Sequence, residues 1–126
     1  MNKHDIQSII EKLTLKEKIA LTSGSDFWHT VSIPRLDIPA IMMADGPFGL
    51  RKQKEDADHM GINQSYPATC FPTTATLACS WDRELLKEVG EAIANECKDQ
   101  QVAMILGPGV NIKRSPLCGR NFEYFS

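Results

Sequence analysis

The sequence runs to 126 residues, of which 42% are hydrophobic and 24% charged, with a formal net charge of −2 at pH 7. That length supports a single hydrophobic core. The mixed, nearly balanced charge offers no basic patch or stripe of the kind nucleic acid requires, and no apolar run approaches the roughly 20 residues of a membrane span.

The N-terminus, Met1-Asn2-Lys3-His4-Asp5, has no apolar stretch behind it that would make a secretory signal. Four cysteines, Cys70, Cys79, Cys97 and Cys118, form no Cys-x-x-Cys pair. Reduced thiols in a cytoplasmic setting are expected, without a disulfide framework. His4, His29 and His59 sit at no zinc-ligand spacing, so no metal site is expected.

Asp5 to Leu13 predicts a short helix, with Ile6, Ile9, Ile10 and Leu13 at helical spacing and Asp5 as N-cap. Thr14-Leu15-Lys16-Glu17 is a capping box opening a second helix. Leu15 and Ile19 are expected to face inward, and Gly24 suits a left-handed residue ending the helix. Ser25 to Asp37 reads as an irregular segment anchored by Phe27 and Trp28 and kept extended by Pro34, with Pro39 just beyond. Trp28 is open to two readings: an aromatic face for a sugar to stack on, or a core filler.

Ala40-Ile41-Met42-Met43-Ala44 predicts a strand buried on both faces, as in a parallel sheet. Asp45-Gly46-Pro47 follows at its carboxyl end. A carboxylate there can accept hydrogen bonds from two adjacent hydroxyls, or can bond the backbone of its own turn. Arg51 to Ser65 is polar and without period, a solvent loop. His59 reads as a surface residue, and Arg51 is near enough to Asp45 to help structure it.

Tyr66 to Pro72 is extended by its prolines. Thr73 to Cys79 fits either a short strand or one helical turn. Ser80 or Asp82 caps the clearest helix, Arg83 to Gln100, whose apolar stripe is Leu86, Val89, Ile93 and Cys97. Gly90 in that stripe allows a neighbour to approach closely, at some cost in helix propensity. Val102 to Leu106 predicts a second buried strand.

Gly107-Pro108-Gly109 stops that strand and turns the chain. The stretch beyond it holds three cations, Lys113, Arg114 and Arg120. In α/β proteins the loops beyond strand carboxyl ends carry the chemistry. The loop is no phosphate cradle, since it lacks the Gly-x-x-x-x-Gly-Lys-Ser/Thr pattern and proline supplies no amide. A guanidinium offers a planar fork suited to carboxylates and vicinal hydroxyls. For Arg114 this competes with a salt bridge holding the loop, for instance to Glu123.

The run Asn111-Ile112-Lys113-Arg114-Ser115-Pro116-Leu117-Cys118-Gly119-Arg120-Asn121-Phe122-Glu123-Tyr124-Phe125-Ser126 resembles the signature loop of the N-terminal barrel domain of family 3 glycoside hydrolases, the β-glucosidase group. Asp45-Gly46-Pro47-Phe48-Gly49-Leu50-Arg51, Phe71-Pro72-Thr73 and Ser80-Trp81-Asp82 agree with it, and the likeness extends from Leu13 onward. The resemblance implies that Asp45 binds hydroxyls of the glycone, that Arg120 contacts the same sugar, and that Glu123 supports the arginine. It also implies that the nucleophilic aspartate, the acid/base and a glycone-binding Lys-His pair lie downstream of Ser126. No catalytic residue is therefore assigned.

A whole (β/α)₈ barrel needs about 250 residues and rarely fewer than about 200. The expected fold is thus α/β: an incomplete N-terminal portion of a (β/α)₈ TIM-type barrel. Residues 40–126 would form its first βα units, preceded by short N-terminal helices and a lead-in over 1–39. The chain reads as a truncated product, an expression fragment or one piece of a longer record. The expected function is part of a retaining β-glucosidase-like hydrolase acting on a β-glucoside or oligosaccharide, with no cofactor and no metal, inactive in isolation. The alternative is a non-catalytic sugar-binding or structural module. Because a partial parallel sheet has open edges, self-association is expected.

Overall fold

The computed structural model describes residues 3–54 and 63–125. The chain divides into two compact units, Met1–Met42 and Met43–Ser126.

The first unit opens with helix α1, Lys3–Lys12, in which Asp5 lies in the first turn instead of capping it. Helix α2, Leu15–Ala20, follows with the expected capping box. The Thr14 hydroxyl accepts from the Glu17 amide, and the Glu17 carboxylate accepts from the Thr14 amide at 2.8 Å. Two expectations fail here. Leu15 and Ile19 are exposed, because the spacing of apolar residues says which face could be covered and not what covers it. The helix ends at Leu21 in right-handed geometry, well before Gly24.

Pro34 is not extended either. It opens a 3₁₀ turn, Pro34–Leu36, where its fixed φ fits the first helical position and its missing amide is not needed. Ile33 and Ile38 bond each other across this turn at 2.8 and 3.2 Å, and among the described residues of this unit Ile33 is the buried hydrophobic one. Arg35 reaches back to α2: its Nε donates to Glu17 Oε1 at 2.6 Å, and its Nη2 donates to the other carboxylate oxygen and to the Lys12 carbonyl.

The second unit is built on two short parallel strands, β1 (Met43–Asp45) and β2 (Met104–Leu106), in register Met43↔Met104, Ala44↔Ile105 and Asp45↔Leu106. Both are shorter than expected. Ala40 and Ile41 stay outside the ladder, and Met42 bridges antiparallel to His29 within the first unit. Gln101 adopts left-handed φ of 58°, and the Val102 amide donates to the Cys97 carbonyl at 2.8 Å. Val102 therefore closes the preceding helix and does not begin the strand. Met104 and Leu106 are about half exposed, so β2 is not buried on both faces.

Between the strands lie α3, Thr74–Ser80, and α4, Arg83–Asp99. The choice left open at Thr73–Cys79 falls to a helix, with the Thr73 hydroxyl accepting from the Thr76 amide. Asp82, not Ser80, caps α4, its Oδ1 accepting from the Glu84 and Leu85 amides at 3.0 Å. Of the α4 stripe, Cys97 is buried, while Leu86, Val89 and Ile93 are mostly but not fully covered. No described neighbour approaches Gly90. The polar segment after β1 forms a stem: Gln53 bridges Ser65, and the Tyr66 amide donates to the Lys52 carbonyl at 2.8 Å. His59 lies outside the described residues. No described helix is long and apolar enough to cross a membrane.

Candidate functional site

The register of β1 and β2 sets Asp45 opposite Leu106, so both strands end at the same level. The turns that follow touch. A methyl on Gly107 would lie 2.7 Å from the Gly46 carbonyl oxygen, so only glycine permits this approach. The Gly107–Pro108 peptide is cis. Downstream, the chain returns to this corner: Gly109 bridges Tyr124, and the Phe125 amide donates to the Gly109 carbonyl at 3.0 Å.

These turns enclose a polar recess of about 240 Å³, lined among others by Asp45, Gly107, Asn111, Arg120, Glu123 and Tyr124. Asp45 and Arg120, from opposite ends of the second unit's sequence, thus come to one recess. The Asp45 carboxylate has Arg51 Nη1 at 3.9 Å, and the Arg51 amide donates to the Asp45 carbonyl at 2.8 Å. Gly49 helps bring Arg51 round: its φ of 137° suits glycine, and a methyl there would meet the Thr69 carbonyl oxygen at 2.2 Å.

Arg120 precedes a 3₁₀ turn, Asn121–Glu123. Its Nε donates to Glu123 Oε1 within that turn. Glu123 is 13% exposed at its side chain and Arg120 73%, so the carboxylate is a seated anchor and the guanidinium projects outward. The hydrogen bond that Arg120 donates to Glu123, then the charges of Glu123, Tyr124 and Asp45, push the Arg120 pKa further above its ordinary value. The arginine is a permanent donor with one nitrogen already occupied.

Arg114 is placed differently. It is exposed and does not line the recess. Glu123, the partner suggested for it, is taken by Arg120. The backbone from Ser115 to Cys118 forms a turn, with the Cys118 amide donating to the Ser115 carbonyl at 3.2 Å and Asn121 Nδ2 donating to the same oxygen at 2.8 Å. Trp28 belongs to the first unit, edge-on to Phe27 with ring centroids 4.8 Å apart. The Asp26 carboxylate orders this segment by accepting from the Trp28 and His29 amides at 2.8 Å. The Trp28 amide is the chief cause that lowers the Asp26 pKa, followed by His29. Asn111 also lines the recess; the sequence offered its place just past the Gly-Pro-Gly turn, at the start of the signature run, and no role.

Parallel strands joined through helices, with a polar recess beyond their carboxyl ends, are the arrangement of an α/β barrel. Residues 31–126 match the glycosyl hydrolase family 3 N-terminal domain, and the chain belongs to that family. It is 65% identical over 122 residues to the thermostable beta-glucosidase B of Acetivibrio thermocellus, covering 97% of this chain and 16% of that protein. It is 53% identical to an exo-alpha-(1->6)-L-arabinopyranosidase of Bifidobacterium longum, over 93% of this chain and 16% of the relative. Among solved structures it is similar to beta-glucosidase 3B from Thermotoga neapolitana in complex with glucose, with a TM-score of 0.79 and 38% identity over 97% of this chain and 19% of that one. The GH3 beta-glucosidase of Bifidobacterium adolescentis gives a TM-score of 0.77 at 53% identity, over 93% and 16%. The chain spans about a sixth of the length of these curated relatives. The expected family and the expected TIM-type α/β class both hold.

Proposed function

We propose that this chain supplies the glycone-gripping corner of a retaining β-glucosidase-like hydrolase. Residues 40–126 serve as the first βα units of its barrel and 1–39 as the lead-in. The Asp45 carboxylate accepts hydrogen bonds from adjacent sugar hydroxyls, and the Arg120 guanidinium donates to hydroxyl oxygens of the same ring. Glu123 holds Arg120 in place, and Arg51 faces Asp45 from the side. The observation that carries this reading is the convergence of Asp45 and Arg120 on one polar recess at the carboxyl ends of parallel strands.

Retaining hydrolysis also needs a nucleophile and an acid/base about 5–5.5 Å apart. The carboxylates lining the recess, Asp45 and Glu123, are each engaged by an arginine. We assign them to binding and support, and assign no catalytic group to this chain. The substrate class we propose is a terminal β-glucoside or a β-linked oligosaccharide, bound without cofactor or metal. The free thiols of Cys70, Cys79 and Cys118, all exposed, suit the reducing cytoplasmic setting that we propose with it.

The test is saturation-transfer NMR with glucose on the wild-type chain, Asp45→Ala and Arg120→Ala. Transfer to glucose protons is expected for the wild type and is lost in either variant. Equal transfer in all three, or none from the wild type, would remove the reading. Adding a chromogenic aryl β-glucoside to the wild-type chain is expected to give no turnover above the no-protein blank.

A further inference from the structure

We propose that Glu96 of α4 is a positioning residue for Asp45, holding Arg51 beside it by way of Thr69. The inference rests on the proposed glycone role of Asp45 and adds the part of the fold that fixes the turn between Asp45 and Arg51. Glu96 does not line the recess. Its two carboxylate oxygens accept from the Thr69 amide at 3.1 and 3.3 Å, and its Oε1 also accepts from the Thr69 hydroxyl. Hydrogen bonds to an ionised carboxylate are about twice as strong as neutral ones, so one side chain of α4 grips one residue of the 66–72 segment by both of its donors.

The hold passes from Thr69 to the recess through backbone contacts. Thr69 lies directly on Gly49: a methyl on Gly49 would stand 2.2 Å from the Thr69 carbonyl oxygen, so no slack separates the two backbones. On either side of Thr69 the same segment bonds the limb that carries Arg51. The Phe71 amide donates to the Phe48 carbonyl at 2.8 Å, and the Tyr66 amide donates to the Lys52 carbonyl at 2.8 Å. That limb closes on the site, with the Arg51 amide donating to the Asp45 carbonyl at 2.8 Å and Arg51 Nη1 3.9 Å from the Asp45 carboxylate. Gln100, the C-cap of α4, ties the same two limbs together. Its Nε2 donates to the Pro67 carbonyl at 3.2 Å, and its own carbonyl accepts from Lys52 Nζ at 2.7 Å. Residues 66–70 are exposed and belong to neither β1 nor β2, and Pro67 has no amide to give a ladder. Side chains at the end of α4 therefore do for this segment what a neighbouring strand would do in a sheet.

The experiment uses the full chain and reads single-amide hydrogen exchange by NMR and glucose affinity by saturation-transfer titration. In Glu96→Ala the Arg51 amide is expected to exchange at least about tenfold faster, while the Val102 amide, which closes α4 on the Cys97 carbonyl, keeps its wild-type rate. Thr69→Val removes only the hydroxyl from the other end of the clasp and is expected to speed Arg51 exchange in the same direction by less. Glu96→Gln keeps an acceptor oxygen and is expected to restore most of the protection. Glucose affinity is expected to fall about tenfold in Glu96→Ala. Glu96→Ala combined with Arg51→Ala is expected to bind no more weakly than Arg51→Ala alone, since both act through one arm. Arg51 exchange that stays at the wild-type rate in Glu96→Ala and Thr69→Val, or that rises together with that of Val102 in both, would overturn the proposal, as would additive losses in the double variant. A wild-type chain that binds no glucose removes the glycone reading instead, and the exchange rates then decide whether Glu96 holds the turn.

Discussion

Arg120 stands in a recess that also holds two carboxylates, and only one of them bonds to it. Glu123 is largely covered and Arg120 is not, so the pair contributes orientation more than stability. Glu123→Gln should leave the melting temperature of the chain unchanged while weakening glucose binding about tenfold, the effect of losing one well-aimed charged donor. Parallel glucose titrations and thermal melts of the two proteins check this. Glu17 makes a second residue-scale case. The hydrogen bond from Arg35, then that from the Thr14 amide, holds its pKa down to about 2 from 4.5. A carboxyl group depressed on folding stabilises the fold above its unfolded pKa and loses that contribution as pH falls through the folded value. The stability that Glu17 gains from Thr14 and Arg35 should therefore be present at pH 5 and be lost progressively between about pH 4.5 and 2. Carboxyl NMR of Glu17 should show a midpoint near 2 that Arg35→Ala moves back toward 4.5. At this scale, the arrival of Asp45 and Arg120 at one recess was legible from the motifs they sit in. That Arg114 lies outside that recess was not, because residue spacing does not report the local geometry of a loop.

The elements divide by how local their causes are. Helix α4 could be read to within a residue, because its cap, its dipole-matched first turn and its stripe all lie within its own span. Asp82→Ala removes the acceptor for two amides and should cost about 1 kcal/mol, read as a lower urea midpoint with unchanged slope. The strands were overlong as read, since their ends are set elsewhere: β2 by the left-handed Gln101, and β1 by how much partner strand exists. The turn after β1 depends on Gly49, whose φ of 137° and 2.2 Å approach to Thr69 exclude a side chain. Gly49→Ala should destabilise the chain by more than about 1 kcal/mol. A denaturation midpoint equal to wild type would show that this turn can relax.

Across the whole chain, the periodicity of apolar residues was legible and their burial was not. Ile6, Ile10, Leu15 and Ile19 in the first unit, and Leu85, Met104 and Leu106 in the second, all lie 39% exposed or more. A sequence pattern marks surfaces that want covering and does not say what covers them. The isolated chain should therefore associate as its concentration rises, which light scattering from micromolar to hundreds of micromolar will read. A single sharp monomer across that range would mean that the exposed surface is tolerated as it stands. The contact of Gly46 with Gly107 has a consequence of its own. The turn after Asp45 abuts the turn after Leu106, and residues of both line the recess, so its walls are mechanically linked. A methyl group at position 107 would act as a wedge between those turns, disturbing the recess without altering Asp45 or Arg120 themselves.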